Sequence, residues 1–398
     1  MDIFDKANNW TAADDVRKLG LYPYFRAITS GQDTEVVVGG KKMIMVGSNN
    51  YLGLVNHPEV KEAMIHAIEK YGSSCTGSRF LNGTLDLHEE LERKLAAFVG
   101  QEACLVYSTG FQANLGVLST IATRGDYIIS DRENHASIVD GCKLSFAKTL
   151  KHEHSNMEDL ERLLAHHKDD SKLIVTDGIF SMGGDICKLP KMIELKKKYN
   201  ARIMVDEAHS IGVLGKNGQG TGFHFNLQKD VDIVMATFSK SFAALGGFIA
   251  STYKVIDYLR HNSRPLIFSA SMPPASVAGV LKALEIMQRE PERIAKLWSI
   301  VHKMKKAYED MGYETGITES PIIPLHIGDD HVTFQMAKEL GEEGVFATPI
   351  VSPGVPPGMA LIRTSYSATH TDAQLDFVLS KFKKIGQKMG VIPAKVPV

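Results

Sequence analysis

The feature that most constrains this chain is a series of short, nearly all-apolar runs that alternate with helical patterns from residue 100 to residue 251. The runs are ACLVYS (103–108), DYIISD (126–131), KLIVTDGI (172–179), ARIMVDEA (201–208), DIVMATF (232–238) and GGFIAS (246–251). Continuous apolar runs are typical of strands buried on both faces of a parallel sheet. One helix between them is expected to begin with a capping box formed by Ser155 and Glu158. Repeated β–α units predict a large α/β domain with a doubly wound, mostly parallel sheet.

The pattern changes after the last of these units. Two long amphipathic helical patterns come first, then two apolar strands at 321–328 and 359–366, and a Lys-rich helix closes the sequence. This predicts a smaller C-terminal α+β domain. One hydrophobic core rarely accommodates 398 residues. We therefore divide the chain into an N-terminal arm (1–50), a large α/β domain (51–280) and a C-terminal α+β domain (281–398).

Composition excludes several classes of protein. The 45 basic and 46 acidic side chains give a net charge of −1, and no polybasic run predicts nucleic acid as a partner. The four cysteines form no CxxC pair, so we expect no metal site, no disulfide framework and a reducing compartment. MDIFDKANNW lacks the apolar region of a signal peptide, and no apolar stretch approaches the roughly 20 residues of a spanning helix. We expect a soluble, cytoplasmic protein.

Several predicted strands end in residues suited to anion binding or reaction. Ligands of open α/β sheets bind beyond the carboxyl ends of the strands. The segment YSTGF should also begin a helix, whose first backbone N–H groups attract anions. The residues at these strand ends are Gly110, Phe111, His135, Asp206, His209, Thr237 and Lys240.

Each of these residues taken alone has a structural explanation. A Ser/Thr-Gly-Phe turn is usually only a turn, and a lysine after a buried strand can extend to the surface. Asp206 and His209 form either a metal pair or, more commonly, a buried hydrogen-bonded pair, and a lone His135 is usually structural. The set as a whole, however, meets the requirements of pyridoxal 5′-phosphate (PLP).

The chemistry of PLP gives each residue a task. Lys240 would supply the amine of a Schiff base, and Asp206 would hold a proton on the pyridine nitrogen so that the ring withdraws electrons. His209 would reach the ring oxygen and His135 would stack on the ring. Thr237, with the N–H groups of the helix in YSTGF, would bind the phosphate.

The segments SNNYLGL, STGFQAN, NHAS, DGIFSMGGD, VDEAHSIGVLG and TFSKSFAALGG, in that order, resemble the fold-type I, aspartate aminotransferase-like PLP enzymes. More narrowly, the chain is similar to the α-oxoamine synthases, which condense an amino acid with an acyl-CoA and release CO₂. The resemblance covers residues 20–395. It implies a homodimer with its active site at the interface, with Lys240 removing the Cα proton and His135 orienting the substrate carboxylate. Ser239, which is glycine in many relatives, leaves cofactor binding intact but weakens a substrate assignment from that motif.

The resemblance adds six residues to the site: Asn50, Ser78, Ser181, Ser269, Ala270 and Arg363. Ser181 would contact the cofactor, and Ser269 and Ala270 would reach the phosphate bound by the partner subunit. Arg363 matches the arginine that binds the substrate carboxylate, a role that suits a bidentate guanidinium. Asn50 and Ser78 are candidates for the same pocket, and for Asn50 a simple turn role is equally favoured.

The substrate pair is also inferred from resemblance. The segments LGLYPYFRAI, GSRFLNGTLDLHEELE and RPLIFSASMPPASVA are most similar to bacterial members that join L-serine to palmitoyl-CoA, giving 3-oxosphinganine in the first step of sphingolipid synthesis. The aromatic residues Tyr22, Tyr24 and Phe25 either line an acyl channel or, favoured about two to one, pack the arm onto the body. An amphiphilic product is compatible with peripheral contact at the inner face of the cell membrane.

The sequence leaves three alternative functions. The first is a 2-amino-3-oxobutyrate CoA ligase, which uses glycine and acetyl-CoA. The second is an NAD-dependent oxidoreductase, which is disfavoured because the glycines at 215, 218, 220 and 222 do not form GxGxxG. The third is a PLP-binding regulator, which would need a DNA-binding module that this chain lacks.

Overall fold

The computed structural model describes residues 2–394. Its strands are β1 (Glu35–Val38), β2 (Lys41–Met45), β3 (Ala103–Tyr107), β4 (Tyr127–Asp131), β5 (Lys148–His152), β6 (Lys172–Asp177), β7 (Arg202–Asp206), β8 (Ile233–Thr237), β9 (Gly247–Ser251), β10 (Ile322–Gly328), β11 (Val345–Phe346), β12 (Thr348–Ile350) and β13 (Ala360–Ser365). Its helices are α1 (Asp5–Asn8), α2 (Ala12–Lys18), α3 (Pro58–Tyr71), α4 (Asp86–Val99), α5 (Gly110–Ile121), α6 (Ala136–Leu144), α7 (Met157–His166), α8 (Leu189–Lys198), α9 (Thr221–His224), α10 (Tyr253–Asn262), α11 (Arg264–Ile267), α12 (Pro274–Arg289), α13 (Glu292–Met311), α14 (Asp330–Glu342) and α15 (Asp372–Lys388). Within residues 2–394, none of the helices has both the length and the apolar character required to cross a membrane.

A seven-stranded sheet in the order β3-β9-β8-β7-β6-β4-β5 forms the centre of the larger part of the protein. Only β9 runs antiparallel to its neighbours, β3 and β8, so the sheet is mostly parallel as predicted. All six apolar runs form strands of this sheet, and every residue of β6, β8 and β9 is buried. The carboxyl ends of β4, β6, β7 and β8 therefore meet at one edge.

The edge strand β5 was not predicted. Its sequence, KTLKH, carries two lysines, and only His152 at its end is buried. Among the strands of residues 2–394 it pairs with β4 alone, so it forms one edge of the sheet. An edge strand does not require the continuous apolar run by which we recognised the other strands, and lysines are common at such edges.

The predicted start of α7 was wrong by one residue. The N-cap is Asn156, whose side chain accepts hydrogen bonds from the backbone N–H groups of Glu158 and Asp159. Ser155 lies before the cap, with a φ of +52°, and its N–H donates to the Asp131 carboxylate at 2.9 Å. Its backbone is thus held in a left-handed turn, which removes Ser155 from the capping position.

Residue contacts divide the chain into two compact units. The larger consists of Asn49–Ser299 and Glu319–Pro321 and contains the seven-stranded sheet. One face of this sheet packs on a core that includes residues of α4, α7, α8 and α12, and the other on a core that includes residues of α5, α6, α10 and α11. Helices on both faces make this unit doubly wound, as predicted for a fold-type I arrangement.

The smaller unit contains the chain up to Ser48, Ile300–Thr318 and the chain from Ile322 onward. It has two three-stranded sheets, β1-β2-β11 and β10-β13-β12. The strands expected at 321–328 and 359–366 correspond to β10 and β13, which pair antiparallel. The three-part division of the chain at residues 50 and 280 stays a prediction.

The aromatic residues of the N-terminal segment differ in their surroundings. The Tyr22 and Tyr24 rings meet edge to face at 5.5 Å, and Tyr24 meets Phe334 of α14 at 6.1 Å. The Arg17 guanidinium lies 4.4 Å from the centre of the Tyr22 ring. Phe25, in contrast, is 97% exposed. Tyr22 and Tyr24 therefore have packing partners inside their own unit.

Candidate active site

A cavity of about 300 Å³ opens at the carboxyl ends of the parallel strands. A larger cavity, of about 580 Å³, lies at their amino ends, where charged side chains such as Arg202 and Asp232 pair with each other at 2.8 Å. The smaller cavity is the candidate site because it collects residues from five separate strand ends. Its predicted members are Gly110, Phe111, His135, Ser181, Asp206, His209, Thr237 and Lys240.

The start of α5 forms one end of this cavity. The side chain of Thr109 caps the helix by accepting a hydrogen bond from the Gln112 N–H at 3.1 Å. A Cβ on Gly110 would lie 2.6 Å from Oγ1 and 2.7 Å from Cβ of Thr237, and one on Gly247 would lie 2.7 Å from Cα of Gly110. The helix therefore begins pressed against β8 and β9, with the Thr237 hydroxyl beside its first backbone N–H groups. This donor set fits a phosphate dianion.

Asp206 is the last residue of β7 and is 4% exposed. Its Oδ1 accepts a hydrogen bond from the Ala208 N–H at 2.9 Å, and its Oδ2 accepts one from Nδ2 of Asn114 at 2.8 Å. The same Nδ2 donates to the Ser137 hydroxyl at 2.9 Å. The carboxylate is thus fixed by two donors while it lines the cavity, an arrangement that suits a cationic N–H partner.

Asn114 was missed in the sequence analysis. It lies in the segment STGFQAN, four residues after Gly110 and therefore one helical turn further along α5. Residues four apart share a helix face, so this spacing was the available signal. Its Oδ1 is buried and has no hydrogen-bond partner among the described residues.

His209 is positioned by a second residue that was missed, Tyr51. The Tyr51 hydroxyl lies 2.7 Å from Nδ1 of His209, and the tyrosine is fully buried. Tyr51 belongs to the segment SNNYLGL, from which only Asn50 had been selected. Because the two residues are 158 positions apart, no local pattern connects them.

His135 is the N-cap of α6 and lies on a loop held from two sides. Its Nδ1 is 2.7 Å from the Ser137 hydroxyl, and its backbone N–H donates to Oδ2 of Asp177 at 3.0 Å. Burial lowers the pKa of His135, although the Asp206 carboxylate opposes this shift. The neutral imidazole is therefore favoured, as suits a ring that stacks on a planar group.

Asp177, which was quoted within DGIFSMGGD but given no role, is a third missed residue. It ends β6 directly beside Asp206 in the parallel register, and it lines the cavity. Its backbone N–H donates to Oδ1 of Asn134 at 2.9 Å, which ties it to the loop before His135. Burial raises the pKa of Asp177 well above its usual range, and the negative charge of the neighbouring Asp206 adds a smaller shift in the same direction. Asp177 thus tends toward its protonated form.

Lys240 follows β8 and lines the cavity, where its charge acts on both His135 and Asp177. The turn that carries it is fixed by Thr237, whose hydroxyl lies 3.0 Å from that of Ser239 and 3.1 Å from the carbonyl oxygen of Gly246. Lys240 therefore follows a strand end that is fixed by hydrogen bonds, and its amine acts on the imidazole of His135 and the carboxyl group of Asp177.

Ser269 and Ala270 lie beside the start of α5 in the same chain. The Ser269 hydroxyl accepts a hydrogen bond from Nε2 of Gln112 at 3.1 Å, and the Ser108 hydroxyl donates to the carbonyl oxygen of Ala270. Both are therefore attached to the segment that forms the phosphate end of the cavity. Their predicted contact with a partner subunit stays a prediction.

The three substrate-binding candidates do not line this cavity. Oδ1 of Asn50 accepts a hydrogen bond from the Leu54 N–H at 3.0 Å, which is a turn role. Ser78 is buried, and its hydroxyl has no hydrogen-bond partner in the part of the chain that the structure describes. Arg363 lies buried in β13 of the smaller unit. Their roles toward the substrate stay predictions.

One group of potential metal ligands exists among residues 2–394, formed by His57, Glu59 and Glu290, whose ligand atoms lie within 4.8 Å of one another. Both carboxylates are ion-paired with Arg289, at 2.6 and 2.7 Å. These residues lie outside the cavity. The group is therefore explained as a surface ion-pair cluster.

Comparisons with known proteins agree with this geometry. Residues 41–382 match the family described as aminotransferase class I and II. A serine palmitoyltransferase of Sphingobacterium spiritivorum is 51% identical over 96% of this chain and 96% of that protein. An 8-amino-7-oxononanoate synthase of Thermoanaerobacter pseudethanolicus is 44% identical over 95% of this chain and 96% of that protein. Among solved structures, a serine palmitoyltransferase from S. paucimobilis with a bound PLP–myriocin aldimine is 36% identical, with a TM-score of 0.96 over 98% of this chain and 100% of that one.

Proposed function

This chain belongs to the aminotransferase class I and II family, and from that premise we propose that it is a PLP-dependent serine palmitoyltransferase. The reaction joins L-serine to palmitoyl-CoA and gives 3-oxosphinganine, CoA and CO₂. The observation that carries this proposal is the near full-length likeness to a serine palmitoyltransferase, which exceeds the likeness to an 8-amino-7-oxononanoate synthase. The cavity described above holds a residue suited to each polar group of PLP.

When bound, PLP supplies an electron sink that stabilises negative charge on Cα of the amino acid. Asp206 keeps a proton on the pyridine nitrogen, and the two hydrogen bonds to its carboxylate hold it in place for that task. The Tyr51 hydroxyl, 2.7 Å from Nδ1 of His209, would orient the imidazole so that its Nε2 could face the ring oxygen.

The remaining residues bind and orient. The first N–H groups of α5 and the Thr237 hydroxyl would hold the phosphate, and the imidazole of His135 would cover the ring face. The resemblance gives Arg363 the serine carboxylate, which its planar guanidinium would bind. Holding the amino acid in one orientation would decide which bond at Cα breaks.

Lys240 moves the protons. Its amine would hold the cofactor before serine arrives and would then take the proton from Cα. A new bond forms between Cα and the acyl carbon of palmitoyl-CoA as the thioester C–S bond breaks, and CoA leaves. The bond between Cα and the serine carboxylate then breaks to release CO₂, and a proton returned to Cα completes the product.

We further propose a homodimer in which Ser269 and Ala270 reach the partner's phosphate. The nearby apolar side chains of Leu81 and Phe268 are 78% and 75% exposed, which supports a second subunit covering this surface. Light scattering should give twice the chain mass, and a fully active monomer would contradict the proposal. We also propose that the protein acts in the cytoplasm and that its amphiphilic product brings it into peripheral contact with the membrane.

The decisive experiment is a turnover assay that crosses serine, glycine and alanine with palmitoyl-CoA, acetyl-CoA and pimeloyl-CoA and measures CoA release. Turnover confined to serine with long acyl-CoA supports the proposal. Turnover with alanine and pimeloyl-CoA would instead indicate an 8-amino-7-oxononanoate synthase. Turnover with glycine and acetyl-CoA would indicate a 2-amino-3-oxobutyrate CoA ligase. Lys240→Ala is the matched control, because every one of these reactions needs the lysine.

A further inference from the structure

His154, which follows the edge strand β5, bridges two buried carboxylates. Its Nδ1 lies 3.0 Å from Oδ1 of Asp131, and its Nε2 lies 3.1 Å from Oδ2 of Asp185. Both carboxylate side chains are almost fully buried, at 1% and 3% exposure. Only the protonated imidazole can donate to both carboxylates at once. The bridge is therefore an internal cation held between two anions.

The two carboxylates belong to segments that carry residues of the cavity. Asp131 ends β4 and begins the loop that leads to His135. Asp185 lies on the loop after β6, which also carries Ser181. The ring of His154 additionally meets that of Phe180 edge to face at 4.5 Å. One imidazole thus joins the His135 loop, the Ser181 loop and the start of the segment after β5.

Backbone hydrogen bonds also hold the Ser181 loop, and the Glu319 N–H donates to the carbonyl oxygen of Gly184 at 3.1 Å. Phe180 donates its N–H to the carbonyl oxygen of Asp185 at 3.0 Å, and Gly184 donates to that of Phe180 at 2.9 Å. Below the tip, an antiparallel bridge joins Ile179 and Ile186. At its base, Asp177 ties this loop to the His135 segment, because its Oδ2 accepts a hydrogen bond from the His135 N–H at 3.0 Å. The His154 bridge adds a second link between the two loops, through Asp185.

The carboxylates that face His154 support its protonated form. Burial lowers the pKa of His154, but the hydrogen-bonded Asp131 and Asp185 outweigh that effect and raise it to about 10. Glu133, 3.7 Å from Nε2, adds a third negative charge. His152 is the remaining titratable neighbour, with its Nδ1 3.9 Å from the other oxygen of Asp131. The bridge is thus intact at neutral pH.

We propose that His154 is a positioning residue that sets the separation of the His135 and Ser181 loops and thereby the fit of the cavity around the cofactor. It touches neither cofactor nor substrate, and it acts through the two carboxylates. The proposal rests on the PLP function given above, and it adds to the site a residue that does not line the cavity.

The test compares His154→Gln with a matched control, His167→Gln. His167 also pairs with an aspartate, since its Nδ1 lies 2.9 Å from Oδ2 of Asp170, but that pair lies at the end of α7 and joins no loop of the cavity. Three readouts on the holoenzyme report the position of the loops: the rate of PLP release, the visible circular dichroism of the cofactor, and amide hydrogen exchange at residues 178–187.

For His154→Gln we expect PLP release about tenfold faster, corresponding to a loss of about 1.4 kcal/mol, a changed dichroic band and faster exchange in the Ser181 loop. His167→Gln should match the wild type in all three. Equal behaviour of the two variants would overturn the proposal. If His154→Gln does not fold, Asp185→Asn provides the same comparison, because it removes one end of the bridge and keeps the Asp131 pair. A wild type that bound no PLP would instead refute the proposed function itself.

Discussion

Gly110→Ala tests the phosphate end of the cavity, because the added methyl group meets atoms that have little room to move. The new Cβ would lie 2.6 Å from Oγ1 and 2.7 Å from Cβ of Thr237. Rotation of the threonine side chain could displace Oγ1, but its Cβ is bonded to the backbone of a fully buried strand, β8. The start of α5 would therefore have to move away from the sheet by roughly 1 Å, since carbon atoms in contact lie about 3.5–4.0 Å apart.

Two costs follow from this displacement. Overpacking of this kind destabilises proteins by about 1–3 kcal/mol. Shifted N–H groups also lose a hydrogen bond to the charged phosphate, worth about 1.5–3 kcal/mol, so PLP should bind about 10–150 times more weakly. Titration of the PLP-free protein with PLP, followed by cofactor absorbance, measures this change.

Gly279→Ala is the control for the substitution itself. Gly279 lies inside α12, where the added Cβ would lie 3.2 Å from the flexible side chain of Met64 and 3.8 Å from Cγ1 of Val60. Its PLP affinity should equal that of the wild type. A Gly110→Ala protein with wild-type affinity for PLP would show that the start of α5 does not hold the phosphate and would refute the reasoning.

Four further predictions concern other parts of the site. Lys240→Ala should abolish turnover and the absorbance of the lysine-bound cofactor, and retained turnover would overturn the role of the lysine. Asn114→Leu removes the amide donor to the carboxylate at the ring nitrogen, worth about 1.5–3 kcal/mol, so kcat/KM should fall about 10–150-fold; an unchanged value would show that this amide is dispensable. Tyr51→Phe removes the hydroxyl beside His209 and should shift the cofactor absorbance and lower kcat several-fold, with only a small loss of stability; an identical spectrum would contradict this. Because the pKa of His154 is raised from 6.5 to about 10, its bridge stabilises the fold fully below pH 6.5, and this contribution, roughly 3–5 kcal/mol, is lost as the pH rises through about 10. Urea unfolding between pH 6 and 11 should show a decline that is larger in the wild type than in His154→Gln by this amount, and parallel pH profiles would refute the assignment.

Much of the fold and part of the site were predictable because the relevant information is local. A strand buried on both faces must be apolar along its length, so the six strands other than β5 could be read directly from the sequence. Parallel strands end at one edge, so residues that follow such strands were expected to meet. Asp206, Thr237 and Lys240 do line one cavity, although their roles toward PLP stay predictions until tested.

The tertiary structure decided which side chains support those residues. Asn114 reaches Asp206 across 92 positions, and Tyr51 reaches His209 across 158. No period or motif encodes such pairs, because each depends on how a helix or loop packs against a strand formed elsewhere in the chain. The edge strand β5 was missed for a related reason, since a strand with one open side needs no apolar run. The sequence thus determined the sheet and the residues at its strand ends, whereas long-range packing determined the hydrogen bonds that fix their orientation.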